Sequence, residues 1–224
     1  MSDRGAVRIS PDETLLAQAA ADLFVTVTTE AVASRGRADV VLTGGSSPQA
    51  MHRLLATPDY AAKISWPQLH LWFTDERAVP PDDPRSNYGA AHMALLAHVP
   101  IPEANVHRMQ SELPIDQAAA HYAEEIAHAF GLGVGVQPRF DLVWLGLGPD
   151  GHTCSLFPGD PQVAMLDQLV VSVLHSTGPD PHVDRISLTL ATVNAAAMVV
   201  FLINGPAKAA ITARALEELS LIHI

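Results

Sequence analysis

The stretch Phe140-Asp-Leu-Val-Trp-Leu-Gly-Leu147, followed at once by Gly148-Pro-Asp-Gly-His-Thr153, decides the fold. The first eight residues are a short apolar run ended by turn-forming residues, the pattern of a strand buried in the middle of a sheet. Working outward, Asp39–Thr43 (D-V-V-L-T) and Leu69–Thr74 (L-H-L-W-F-T) read as further strands, as do Gln168–Leu174 and Met198–Ile203. Helical segments separate them. Ser10-Pro11-Asp12-Glu13 offers a capping box with Pro11 in the first helical position. Leu16, Ala19, Ala20, Leu23 and Val27 then recur at helical spacing. Pro48–Leu55, a segment from Ser86 or Asn87 to about His98, Pro114–Phe130 and Ala207–Leu219 read as the other helices. Strands alternating with helices predict an α/β fold, a mostly parallel sheet flanked by helices. No repeat or long linker divides residues 1–224, so a single domain is expected.

Composition bounds the function. The chain has 224 residues, 48% hydrophobic and 17% charged, with a mean hydropathy of +0.17. That is enough for a real core and excludes a disordered chain. Continuous apolar runs such as Met198–Ile203 are far shorter than the ~20 residues of a membrane span. Thirteen basic and 24 acidic residues give a net charge of −11, which argues against nucleic acid or anionic lipid as a partner. An anionic ligand would need a few cations gathered locally. The single cysteine, Cys154, rules out an internal disulfide. The start Met1-Ser-Asp-Arg-Gly lacks a secretory pattern, so a cytoplasmic location is expected. Eleven histidines include no H-x-x-x-H pair, so no metal site is expected.

In a parallel α/β sheet, ligands bind at the carboxyl ends of the strands. The unusual loops of this chain all follow strands. Thr43-Gly44-Gly45-Ser46-Ser47-Pro48 combines two glycines, two hydroxyls and a helix start. It suits a phosphate, though it also suits a plain strand-to-helix turn. It is not a P-loop, because no G-K-[ST] follows. Thr74-Asp75-Glu76-Arg77 crowds two carboxylates and a guanidinium at a strand end. Arg77 can grip a phosphate in bidentate fashion, and the triplet can equally form a solvated salt bridge.

The third loop contains Gly146, Gly148 and Gly151 in the spacing G-x-G-x-x-G. A dinucleotide site also needs an acidic residue ~20 positions on, at the end of the next strand. Asp167 precedes that strand instead, and Pro149, Asp150 and His152 fill the place of small groups. An Asp two residues before a His suggests acid–base chemistry, since a nearby carboxylate (Asp150) can orient His152 and raise its basicity, although a D-G-H segment can equally be a plain turn. Near neighbours in sequence rarely reach nucleophile–base geometry, so Cys154 beside His152 reads as a small buried residue. Arg185 enters a strand, and Lys208 starts the last helix, where a cation opposes the helix dipole unless an anion binds.

Taken together, four segments resemble the 6-phosphogluconolactonase family. They are Thr43-Gly-Gly-Ser-Ser-Pro48, Trp72-Phe-Thr-Asp-Glu-Arg-Ala-Val-Pro80, Ser86-Asn-Tyr88 and Gly146-Leu-Gly-Pro-Asp-Gly-His-Thr-Cys-Ser-Leu-Phe-Pro-Gly159. The resemblance runs in order from about Ile9 to Glu218. It implies the Rossmann-like fold shared with glucosamine-6-phosphate deaminase and ribose-5-phosphate isomerase. It also implies hydrolysis of 6-phospho-D-glucono-1,5-lactone to 6-phosphogluconate in the oxidative pentose phosphate pathway, without a cofactor. The resemblance implies His152 as general base, with Asp150 positioning it or the sugar hydroxyls. Gly44, Gly45, Ser46, Ser47, Asp75, Arg77, Arg185 and Lys208 are the implied substrate-binding residues. The expected partner is a small phosphosugar lactone, and the expected state a monomer or weak homo-oligomer.

The deaminase family also carries a D-G-H loop, but with an Asn-Glu pair before the proline. Here Leu156-Phe157 precedes Pro158, and Phe157 has no proton to move. A phosphosugar deaminase or isomerase, and a non-catalytic sugar-phosphate sensor, are the alternative readings. Two departures from the family pattern stand out. Cys154 occupies a position that commonly holds a small residue. The ending Leu219-Ser-Leu-Ile-His-Ile224 differs from the family's usual continuation, so a missing C-terminal segment is expected.

Overall fold

A computed structural model describes residues 5–175 and 180–217. Leu219–Ile224, and with them the expected departure at the C-terminus, lie outside the described residues. The strands are β1 (Ala38–Leu42), β2 (Leu69–Phe73), β3 (Asp75–Arg77), β4 (Leu142–Leu145), β5 (Val170–Val173), β6 (Arg185–Leu188) and β7 (Val199–Phe201). The helices are α1 (Glu13–Arg35), α2 (Ser46–Leu55), α3 (Pro58–Ala61), α4 (Asn87–Ala94), α5 (Ile115–Phe130), α6 (Leu190–Asn194) and α7 (Ala209–Glu217).

The main sheet has the order β2-β1-β4-β7, and every neighbour pair is parallel. β1 and β4 are buried along their whole length. Their unbroken apolar sequence follows from this, because helices cover both faces of the sheet. Side chains alternate between the two layers. Val41, Val143 and Leu145 join Ala118, Tyr122 and Ile126 of α5 on one face. Val40, Leu42, Leu142 and Trp144 join Phe24 of α1 and Met51 and Leu55 of α2 on the other.

Three segments form a second, antiparallel sheet in the order β3-β6-β5. The sequence reading expected Asp75–Arg77 in a polar loop and Gln168–Leu174 among the strands of one sheet. A D-E-R triplet carries no hydrophobic signal, and it is held in strand form by residues distant in sequence, Arg185 to Ser187. Thr74 links the sheets. Its amide donates to the Leu42 carbonyl at 2.9 Å, and its own carbonyl accepts from the Leu188 amide at 2.8 Å. One hydrophobic cluster contains residues of both sheets, including Val143, Val171 and Ile186.

Helix α1 begins two residues later than expected. Asp12, not Ser10, is the cap, and its carboxylate accepts from the Leu15 amide at 2.8 Å. An anion there also complements the helix dipole. The buried face is Ala17, Ala20, Ala21, Phe24, Thr28 and Ala31, whereas Ala19 of the expected face is exposed. This helix is apolar on more than one side, so periodicity alone left its facing open. By length and mean hydropathy it is apolar enough to cross a membrane, although Gln18, Asp22 and Thr26 interrupt its apolar runs. In the structure it packs on β1 and α2.

Candidate active site

Parallel pairing puts the carboxyl ends of β2, β1, β4 and β7 along one edge of the sheet. The chain leaves that edge through Thr74–Arg77, Thr43–Ser47, Gly146–His152 and Leu202–Lys208 respectively. The loops singled out in the sequence thus converge by topology.

The loop after β4 builds a dyad. The Gly151 amide donates to the Gly148 carbonyl at 3.0 Å, and the Gly148 amide donates to the His152 carbonyl at 2.8 Å. Gly151 sits at φ 93°, a backbone state suited to glycine. The tight turn brings Asp150 Oδ1 to 2.6 Å from His152 Nδ1. Held by a carboxylate on Nδ1, the imidazole has Nε2 for exchanging protons with a ligand. A Cβ at Gly148 would collide with His152 Nδ1 and Asp150 Oδ1, so a larger residue would displace the dyad. Both side chains of the dyad are partly exposed.

Next to this loop lies the β3–β6 pair. Arg77 stands directly opposite Arg185 in the antiparallel register, with Asp75 opposite Ser187. Side chains two residues apart share a face, so Asp75, Arg77, Arg185 and Ser187 face the same way. Ser155, just beyond the dyad, ties the loop to that face. Its hydroxyl donates to Asp75 Oδ2 at 2.6 Å, and its amide donates to Ser187 Oγ at 3.2 Å. Asp75 also accepts from Thr74 Oγ1 at 2.9 Å and is buried. Both its oxygens are therefore engaged by hydroxyls within the fold.

The two arginines are less well satisfied. Arg77 donates through Nη1 to the Arg85 carbonyl at 2.6 Å, and Arg185 through Nη2 to the Pro181 carbonyl at 3.1 Å. The Nε of each is buried without a partner among the described residues. Burial, and then the charge of Arg77, push Arg185 below the usual guanidinium value, with Asp75 and Asp150 acting in the opposite sense. Like charges directly across a strand pair destabilise it. Two crowded guanidinium groups with unused donors have the chemistry that suits an anion.

The remaining predicted residues fall into two sets. Gly45 starts α2 at φ 96°, Ser46 is exposed, and Ser47 is buried with its hydroxyl unpartnered. Gly44 packs on Asn87, and a Cβ at Gly44 would overlap that side chain. Lys208 lies beyond β7, half-buried, and burial pulls its ammonium below the usual value. Among the described residues, no group of three or more His, Cys, Asp or Glu is placed to hold a metal ion. Cys154 is buried, and burial followed by the nearby Asp75 raises its thiol well above the usual range.

Several contributors were not legible in the sequence. Glu76 is buried and accepts from the amides of Arg77, Asn87 and Tyr88 and from Ser86 Oγ, at 2.7 to 2.9 Å. Burial raises its carboxyl despite these four donors. It anchors the start of α4. Asn87, the first residue of α4, reaches back through Nδ2 to the Asp75 carbonyl at 2.9 Å. Both contacts join segments that only the fold brings together. His175 stacks on Phe157, with centroids 4.5 Å apart, and nothing in its own neighbourhood of sequence signalled this.

Residues 11–221 match the family model described as glucosamine-6-phosphate isomerases/6-phosphogluconolactonase. A 6-phosphogluconolactonase of Streptomyces coelicolor is 41% identical over 97% of this chain and 85% of its own length. The protein of that name from Mycobacterium tuberculosis is 40% identical over 94% of this chain and 85% of its own. Among solved structures, the 6-phosphogluconolactonase of Thermotoga maritima superposes with a TM-score of 0.80 at 31% identity, covering 92% of this chain and 88% of that one. A monomeric glucosamine-6-phosphate deaminase shares the fold, with a TM-score of 0.76 at 18% identity over 93% of this chain and 86% of that one. With the family model spanning nearly the whole chain and such relatives beside it, this protein belongs to the glucosamine-6-phosphate isomerase/6-phosphogluconolactonase family.

Proposed function

We propose that this chain hydrolyses 6-phospho-D-glucono-1,5-lactone to 6-phosphogluconate, as a carboxylic ester hydrolase of the oxidative pentose phosphate pathway. The observation that carries the reading is the Asp150–His152 dyad, at 2.6 Å, beside the opposed Arg77 and Arg185. The relatives of about 40% identity named for this activity support it.

In the proposed mechanism, Arg77 and Arg185 hold the phosphate, with Lys208 and the Gly44–Ser47 loop completing the anion's surroundings. Fixing the remote phosphate holds the lactone carbonyl near His152, which removes much of the entropic cost of attack. His152 Nε2 takes a proton from water as the oxygen adds to the carbonyl carbon. The ester C–O bond then breaks, and the imidazolium returns the proton to the departing ring oxygen. Water is consumed, a carboxylic acid and a hydroxyl result, and the acid then loses its proton to solvent to give the carboxylate. Asp150 keeps the imidazole in the tautomer this sequence needs. Asp75 supports the site from within the fold through Ser155.

The chain acts, in this proposal, as one domain, which the cluster shared by both sheets supports. The partner is a small phosphosugar lactone. A cytoplasmic site of action, a monomeric or weakly associated state and independence from nucleic acid and membrane complete the proposal, supported by the single cysteine and the charge of −11.

The test is lactone decay in buffer with and without the protein, since the lactone also hydrolyses spontaneously. Acceleration that disappears in His152→Ala is expected. Binding of 6-phosphogluconate with unchanged lactone lifetime would favour a sensor, and ammonia release from glucosamine 6-phosphate would favour a deaminase. Either result would overturn the proposal.

A further inference from the structure

One hydrogen bond does not fix an imidazole. With Asp150 holding Nδ1, the His152 ring can still swing about that contact, and the direction of Nε2 swings with it. The structure supplies a second restraint. The Phe157 ring lies against His152, with centroids 4.7 Å apart and planes 43° apart. Phe157 is itself clamped. It is buried, its ring stacks on His175 at 4.5 Å and 15°, and the Arg185 guanidinium lies 5.6 Å from its centroid. Packing against buried, interlocked neighbours leaves such a ring one orientation.

We propose that Phe157 is a positioning residue: held by its contacts with His175 and Arg185, it sets the plane of His152 and so aims Nε2. The proposal rests on His152 being the general base. It also assigns Arg185 a second task. The guanidinium that faces Arg77 across the strand pair touches the ring that abuts the base. The anion cradle and the proton-transfer group therefore share one rigid aromatic part. Misplacing a catalytic group by about 1 Å can cost on the order of 100-fold in rate, so an aromatic stop of this kind belongs to the turnover step and not to substrate capture.

The test compares Phe157→Leu, Phe157→Met and Phe157→Tyr in the full chain. The methionine variant stays apolar and fills the gap flexibly while removing the flat face, and serves if the leucine variant fails to fold. The tyrosine variant keeps the ring. Folding is checked by circular dichroism, and the competent fraction by the stoichiometry of 6-phosphogluconate binding in calorimetry. The expected result is a fall in kcat of about 10- to 100-fold for Leu and Met, with KM within twofold, one product site per chain and recovery in Tyr. The imidazole signals of His152 should lose their ring-current shift in Leu and Met. Folded Met protein with kcat within twofold of the parent would overturn the proposal. So would a loss of kcat matched by an equal loss of product-binding sites. His152→Ala keeps the two readings apart: if it is inactive while Phe157→Met is fully active, only the role of Phe157 fails.

Discussion

Arg77 and Arg185 face each other across two antiparallel strands, each with a buried Nε that has no partner among the described residues. Like charges directly across a strand pair cost stability. Under the proposed function the pair is one half of a binding contact whose other half arrives with the substrate phosphate.

The first prediction follows from that pair. Arg185→Gln is expected to raise KM for the lactone about 10- to 100-fold, the size of a lost charge-assisted hydrogen bond of about 1.5–3 kcal/mol. Inorganic phosphate should raise the Tm of the parent protein and leave that of the variant nearly unmoved. Thermal scans across a phosphate series, with steady-state kinetics, check both. An unchanged KM would remove Arg185 from the anion site.

Asp150→Asn tests the dyad. The amide keeps the shape but loses the charge that holds Nδ1–H in place. A fall in kcat of about 100- to 10,000-fold is expected, with KM little changed. Rates measured from pH 5 to 8 distinguish a lost orienting carboxylate from a shifted titration: the plateau should drop at every pH.

Gly148→Ala tests the turn beneath the dyad. A single methyl would collide with both His152 and Asp150. Activity should collapse while the far-UV circular dichroism is kept, since β4 and its neighbours are untouched. Gly146→Ala is the control, because nothing crowds a Cβ there.

His52 is expected to make the fold less stable in acid. It is buried in α2 with both ring nitrogens unpartnered, and burial, then Arg53, lower it from 6.5 to about 4. The unfolded chain then binds a proton that the folded chain refuses. Stability should fall as pH drops from about 6.5 to about 4, by an amount on the order of a few kcal/mol from this group. His52→Leu should flatten that fall and, by removing an unpaired polar group, raise stability at pH 7 by about 1 kcal/mol or more. Urea titrations at pH 7 and pH 5 measure both. An equal acid loss in the variant would assign the transition elsewhere, His70 being the next such group.

The legibility of this chain divides along one line. β1, β4 and the loop Gly148–His152 announced themselves because their signals are local: an apolar run, a glycine turn, an Asp and a His two apart. The antiparallel sheet did not, because Asp75–Arg77 becomes a strand only through Arg185–Ser187. Glu76 shows the same limit. Its residue type suggested a solvated charge, and it became a buried anchor through donors from Arg77 and the start of α4. Arg77 and Arg185 were each readable as candidate cations, but their opposition was a matter of register, which no window of sequence contains. The facing of α1 was lost for the contrary reason, too much apolar signal around the helix.

The hydrogen bond from Ser155 to Asp75 has a consequence for selectivity. It pins the dyad loop to the strand that carries Arg77, while the contact with Ser187 pins it to the strand that carries Arg185. Under the proposed roles, the span from phosphate cradle to proton acceptor becomes a fixed gauge. A lactone one carbon shorter between carbonyl and phosphate would engage one end and miss the other, so chain length would be measured by the backbone frame and not by contacts to individual hydroxyls.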